Sequence, residues 1–203
     1  MESDSYLTIK AFSKGLYKEK GSRFIALAYP VTTLEEIKSI LENIRKEHHS
    51  ARHHCFAWIL GQSRQTYRVS DDGEPSGSAG KPILGQINTF KLTNILIVVV
   101  RYFGGKLLGV SGLVNAYRSA SESAINNSEI TKMFIRDYYQ LVFPYSAVND
   151  VMKVIKDDEI RQSHQKFELE CFVTIDFRIS AGEKILNALS KIDGLVYRHI
   201  ATC

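Results

Sequence analysis

The chain has 203 residues, 44% of them hydrophobic and 24% charged, enough apolar content for one good core or two small ones and too much for wholesale disorder. No apolar run approaches the roughly 18 residues of a membrane span, and the polar start Met1-Glu2-Ser3-Asp4-Ser5 is unlike a signal peptide. Cys55, Cys171 and Cys203 are few and widely spaced, so free thiols in a reducing, cytoplasmic setting are expected rather than a disulfide framework. The net charge of +4 is uneven: residues 1–134 hold 17 Lys and Arg against 12 Asp and Glu, and residues 135–203 hold 9 against 10. The basic excess of the first part suits an anionic partner.

In chain order, Leu7 to Tyr29 reads as strands joined by a turn at Lys20-Gly21-Ser22, with Phe24 to Tyr29 ended by Pro30. Thr33-Leu34-Glu35-Glu36 is a capping box, and Leu34, Ile37, Ile40, Leu41 and Ile44 recur at helical spacing to about His48. His54 to Leu60 and Arg64 to Val69 predict a hairpin leading to Asp71. Ser78 is placed to cap a helix through about Asn88, with Pro82 in its first turn. Ile95 to Tyr102 is apolar on both faces, as a central strand covered by helices would be. Ser111 is expected to cap the next helix, with Val110, Leu113, Val114, Tyr117 and Ala124 along one face.

The pattern restarts near Ile130. Asp137 to Phe143 (strand), Ala147 to Asp157 (helix), Glu159 to His164 and Glu168 to Ile179 (strands), Glu183 to Ile192 (helix) and Leu195 to Ile200 (strand) give the order βαββαβ. This is the ferredoxin-like split pattern. Two α+β domains are therefore expected, residues 1–134 and 135–203, with the boundary at Lys132 to Arg136.

The chemistry is expected between Ser70 and Gly112, where two glycine-rich corners flank the central strand. Ser76, Gly77, Ser78, Gly80 and Lys81 form the first; Arg101, Tyr102, Gly104, Gly105, Lys106 and Ser111 form the second. Small residues admit an anion to backbone N–H groups and helix dipoles, and the cations add charge, with Arg68 and Tyr102 as auxiliary contacts. The rival reading is that the glycines serve tight turns. Gly104 to Gly109 has P-loop spacing but is followed by Val110-Ser111, and no dinucleotide fingerprint is present.

Asp71, Asp72 and Glu74 could bind Mg²⁺ or tune one another's protonation, or else cap helices and pair with Arg101 and Lys106. His48, His49, His53 and His54 lack zinc spacing, and adjacent His53 and His54 would face opposite ways in a strand. Helix-end polarity and a partly buried His54 explain them better. Tyr67 and Tyr102 stand beside basic residues, as stacking groups often do, while Tyr138, Tyr139, Phe143 and Tyr145 fit packing equally well.

Four stretches together resemble the IMPACT/YigZ family: Ser22 to Ala26, His53 to Ala57, Ser70 to Leu84 and Thr93 to Gly109. The resemblance covers most of Met1 to Ile130; the remainder matches the family's small bacterial domain in length and strand order. It implies a first domain of two-layer α/β fold, of ribosomal-protein and GHMP-kinase type, and a second like the last domain of elongation factor G. Eukaryotic relatives regulate translation by competing for the scaffold that activates an initiation-factor kinase.

The expected function is a translation-linked binding protein, more a binder than an enzyme and without a cofactor. It would engage RNA, a ribosome-associated factor or a nucleotide phosphate through the two corners. The alternative is an enzyme acting on a phosphorylated small molecule or nucleotide, with Asp71, Asp72 and Glu74 on Mg²⁺ and Ser78 and Lys81 on phosphate. A third reading uses the ferredoxin-like sheet as a protein-interaction module.

Overall fold

The structure, a computed structural model, describes residues 4–157 and 160–202. Glu159, where one strand was expected to begin, and the Cys203 thiol lie outside the described residues. The chain separates into two compact units, Tyr6–Met133 and Phe134–Cys203 together with the start of the chain.

The first unit is built on a five-stranded antiparallel sheet of β2 (Ser13–Glu19), β3 (Ser22–Pro30), β4 (His53–Leu60), β5 (Thr66–Ser70) and β6 (Ile95–Tyr102). Its order is β2-β3-β6-β4-β5, so the most apolar strand, β6, lies at the centre. Ile95 to Val100 are fully buried, as expected of a strand covered on both faces.

Alternation along the strands divides the core. Phe24, Ala26, Cys55, Ala57, Ile97 and Val99 pack with α2 (Gly80–Thr89) and α3 (Gly109–Asn126). Leu27, Phe56, Trp58, Leu96, Val98 and Val100 meet α1 (Leu34–Glu47) on the other face. Helices on both faces make three layers, one more than the two-layer arrangement the resemblance implied. The remaining strands of this part, β1 (Ser5–Ile9) and β7 (Ile130–Phe134), pair as a separate two-stranded sheet.

The Thr33 capping box forms as expected, with the Thr33 hydroxyl accepting from the Glu36 N–H at 3.2 Å. Leu34, placed inward by its spacing, is 53% exposed because it stands in the first turn, before α1 settles on the sheet. Val110 is likewise exposed at the start of α3, where Leu113, Tyr117 and Ala124 carry the burial.

The second unit runs β8 (Arg136–Pro144), α4 (Val148–Asp157), β9 (Arg161–Lys166), β10 (Glu170–Arg178), α5 (Gly182–Leu189) and β11 (Val196–Thr202). These strands form an antiparallel sheet in the order β11-β8-β10-β9. Leu141, Phe143, Val173, Ile175 and Phe177 face the helices, packing with Val151, Ile155, Ile185 and Leu189.

One close approach fixes the β6–α3 corner. Gly21, at φ +81° in the β2–β3 turn, lies directly against Gly104, whose N–H donates to the Ser22 hydroxyl at 3.1 Å. A Cβ on Gly104 would overlap the Gly21 carbonyl carbon and the Ser22 nitrogen, both rigid backbone. Gly105 has φ +84° but open space around it. Gly104→Ala is expected to cost about 2–3 kcal/mol and lower the melting temperature by several degrees, whereas Gly105→Ala costs about 1 kcal/mol. Differential scanning calorimetry of the two variants separates packing from turn chemistry.

Candidate functional site

The loop from β5 to α2 carries the three carboxylates, and each is committed to an internal partner. Asp71 lies at the start of α2, where helix geometry leaves backbone donors without acceptors. Its Oδ1 accepts from the N–H groups of Ala79 (3.0 Å) and Gly80 (2.8 Å), and its Oδ2 from Gly77 (2.8 Å). Burial alone would raise the Asp71 pKa, but these three donors and nearby Lys81 outweigh it and hold the carboxyl below its ordinary range.

Asp71, not Ser78, is therefore the cap of α2. The helix begins two residues after Ser78, whose buried hydroxyl donates to the Pro75 carbonyl at 2.6 Å. A carboxylate far back in the loop reaches more donors than a hydroxyl next to them, which is why a local capping pattern misplaced the cap.

Asp72 accepts from the His54 N–H at 2.7 Å and pairs with Arg45 at 3.1 Å. Its φ of +41° is tolerated because Asp is among the few side chains that adopt this region readily. Glu74 is buried and receives Arg101 Nη1 at 2.7 Å and the Tyr117 hydroxyl at 2.8 Å on the same oxygen. Behind it, the Cys55 thiol donates to the Asp71 carbonyl at 2.9 Å and sits 3.3 Å from the Tyr117 hydroxyl. Burial pushes Cys55 up to about 12 and Tyr117 well above the usual phenol value.

These partners match the capping and ion-pairing reading of the three carboxylates. Among the described residues, no group of three His, Cys, Asp or Glu side chains is placed to hold a metal ion. The histidines are likewise engaged with the framework. His53 Nδ1 lies 2.9 Å from the Asp72 carbonyl, His54 Nε2 lies 3.2 Å from the His48 carbonyl, and His48 Nδ1 lies 2.9 Å from the Tyr102 hydroxyl. Burial, the largest influence, lowers the His48 pKa.

The two glycine corners have different fates. The N–H groups of Gly77 and Gly80 are engaged by Asp71, and Gly80 lies tight against Ser70. Arg101 is 6% exposed, its guanidinium 5.5 Å from the ring centres of Phe24 and Phe103. Tyr102 is covered by Arg23 at 5.1 Å. Gly104 and Gly105 serve the approach to Gly21 and a turn. Ser111 is not the cap of α3: the helix starts two residues earlier, behind Leu108, with no side-chain cap. Lys106 and Ser76 are exposed, and Arg68 is exposed on β5, paired in register with Trp58.

The structure brings Lys81 together with a residue the sequence did not single out. Gly77, Lys81, Pro82, Gln86, Val114 and Arg118 line a groove of about 540 Å³ between α2 and α3. Arg118 lies in the middle of α3, so only the packing of the two helices places it opposite Lys81. Among the described residues Arg118 has no hydrogen bond or ion pair. Two exposed cations lining one groove can hold an anion between them, although Lys81 also supports the Asp71 carboxylate.

The arrangement defines a mixed α/β protein whose glycine-rich loops are locked by internal charges. The Impact N-terminal domain model matches residues 20–125. IMPACT family member YigZ of Escherichia coli is 46% identical over 155 residues, covering 74% of this chain and 76% of that protein. IMPACT family member YvyE of Bacillus subtilis is 30% identical over 188 residues, covering 92% and 84%. A crystal structure of a hypothetical protein superimposes with a TM-score of 0.74 at 29% identity, covering 98% of each chain. This chain belongs to the IMPACT family.

Two outcomes follow for the loop. Asp71 has a folded pKa below its unfolded value near 3.9. Its stabilisation is full above that unfolded value and is lost as pH falls through it toward the folded one. Asp71→Asn is expected to destabilise at pH 7 by about 1–2 kcal/mol and to flatten the stability profile below pH ~4, measured by urea unfolding across pH. Glu74→Gln leaves Arg101 buried without its counter-charge and is expected to cost about 3–5 kcal/mol in the same assay.

Proposed function

We propose that this chain is a translation-linked regulatory protein whose Tyr6–Met133 unit holds a phosphate-bearing partner, RNA of the ribosome, across the α2–α3 groove. The supporting observation is the facing pair Lys81 and Arg118 in a groove of about 540 Å³. Both belong to the part of the chain that matches the Impact N-terminal domain. The link to translation rests on family membership, since eukaryotic IMPACT relatives regulate translation. Lys106 and Arg68 are exposed on the same unit, but Arg68 lies on the α1 side of the sheet beside Trp58 and not at this groove.

This differs from a loop that cradles phosphate with its own N–H groups. Asp71 already occupies the α2 N-terminus, so the partner meets side-chain charge, and its binding is governed by counterion release.

Cosedimentation of the full chain with ribosomes, and its binding to ribosomal RNA over a salt series, test the proposal. Binding is expected to weaken steeply with salt, and Lys81→Ala with Arg118→Ala to reduce the log–log slope by up to about two. Salt-independent binding, or no binding at low salt, overturns it.

A further inference from the structure

The two helices of the second unit cover one face of its sheet and leave the other to its strand side chains. Helices α4 and α5 pack on the side bearing Leu141, Phe143, Val173, Ile175 and Phe177. By alternation, Arg136, Tyr138, Gln140 and Val142 of β8 and Phe172, Thr174, Asp176 and Arg178 of β10 point the other way. Neither α4 nor α5 covers them, and Asp176 among them is buried in its pair with Arg136. Tyr138 and Phe172 are only half-buried.

The register organises this face. Phe172 stands in a row with Val142, Val196 and, on β9, Lys166. Thr174 and Gln140 share a row with Arg198, and Asp176 and Tyr138 share one with Arg161. So the two rings lie on the two central strands, and cations lie on both edge strands. The Phe172 row and the Tyr138 row are four residues apart along β8, roughly 13 Å.

The charge balance of the face is positive. Among the described residues, Asp176 is held by Arg136, and Glu168 beside the face is paired with Lys166 at 2.9 Å. Glu170 stands at the sheet's end, opposite Pro144. Arg161 and Arg198 are exposed and make no hydrogen bond or ion pair among the described residues.

We infer that this open face binds single-stranded RNA, with Tyr138 and Phe172 each stacking an unpaired base and Arg161 and Arg198 meeting the backbone. Stacking rings on central strands with cations at the edges is what splayed-out bases require, because every base offers a ring face and every linkage a phosphate. A duplex keeps its bases stacked and fits such a face poorly. An apolar protein surface would leave Arg161 and Arg198 without counter-charges. This site is separate from the α2–α3 groove.

Fluorescence anisotropy of the full chain with a labelled, mixed-sequence single-stranded RNA of about twelve nucleotides tests it at low salt. Tyr138→Ala with Phe172→Ala is expected to weaken binding at least tenfold, while Tyr138→Phe with Phe172→Tyr retains it. Lys81→Ala with Arg118→Ala should leave this dependence on the rings intact, which separates failure here from failure of the groove. If the alanine pair does not fold, Arg161→Ala with Arg198→Ala substitutes, and a smaller salt slope is expected. The inference is overturned by undiminished binding in a folded ring-deficient variant, by an unchanged slope in the arginine variant, or by equal affinity for duplex RNA. It is equally overturned if a protein partner requires this face while single-stranded RNA does not bind.

Discussion

The carboxylate of Asp71 gathers the N–H groups of Gly77, Ala79 and Gly80, and the first unit's loops are arranged around that cluster. Helix α2 needs an acceptor at its start, and a carboxylate from the preceding strand end supplies it. That choice pins the loop across the sheet edge, carries Glu74 into the core beside Arg101 and Tyr117, and sets the Asp71 carbonyl over Cys55. A run of residues with the composition of a phosphate cradle is thereby filled from within. Two of the glycines are needed because backbones approach closely, Gly80 to Ser70 and Gly104 to Gly21, while Gly73, Gly77 and Gly105 serve positive φ in turns.

Strands and helices were legible in the sequence to the extent that periodicity reports burial. The continuous apolar run Ile95 to Val100 announced a strand covered on both faces, and the Thr33 box announced the start of α1. The βαββαβ order of the second part followed from the same signals. What periodicity could not convey was contact between distant elements. Ser78 and Ser111 carried the local chemistry of caps, yet α2 is capped from eight and nine residues away and α3 by no side chain. Arg118 gave no signal because only the packing of α2 on α3 makes it a neighbour of Lys81.

The same limit applied to charge. Arg101 looked like a ligand because it borders two glycines after a buried strand, and a sequence does not say whether a guanidinium turns out or in. Here it turns in, to Glu74. Burying an ion pair yields less stability than an apolar substitute of the same shape but fixes geometry tightly. The pair accordingly orders the loop, while the exposed cations Lys81, Lys106, Arg68 and Arg118 leave the unit's surface positive. Under the proposed function, the locked loops and the exposed cations form a docking platform that is already in place before the partner arrives.

The seclusion of Cys55 makes the thiol a clock for the loop above it. Its sulfur lies beneath the Asp71 carbonyl and beside Tyr117, with its proton held on up to a pH of about 12. An alkylating reagent has no route to it until that loop lifts, so the rate of modification under native conditions counts openings of the loop between β5 and α2. A partner that rests on the closed loop would slow the clock, and a chemical footprint at one buried atom would then register binding on the surface.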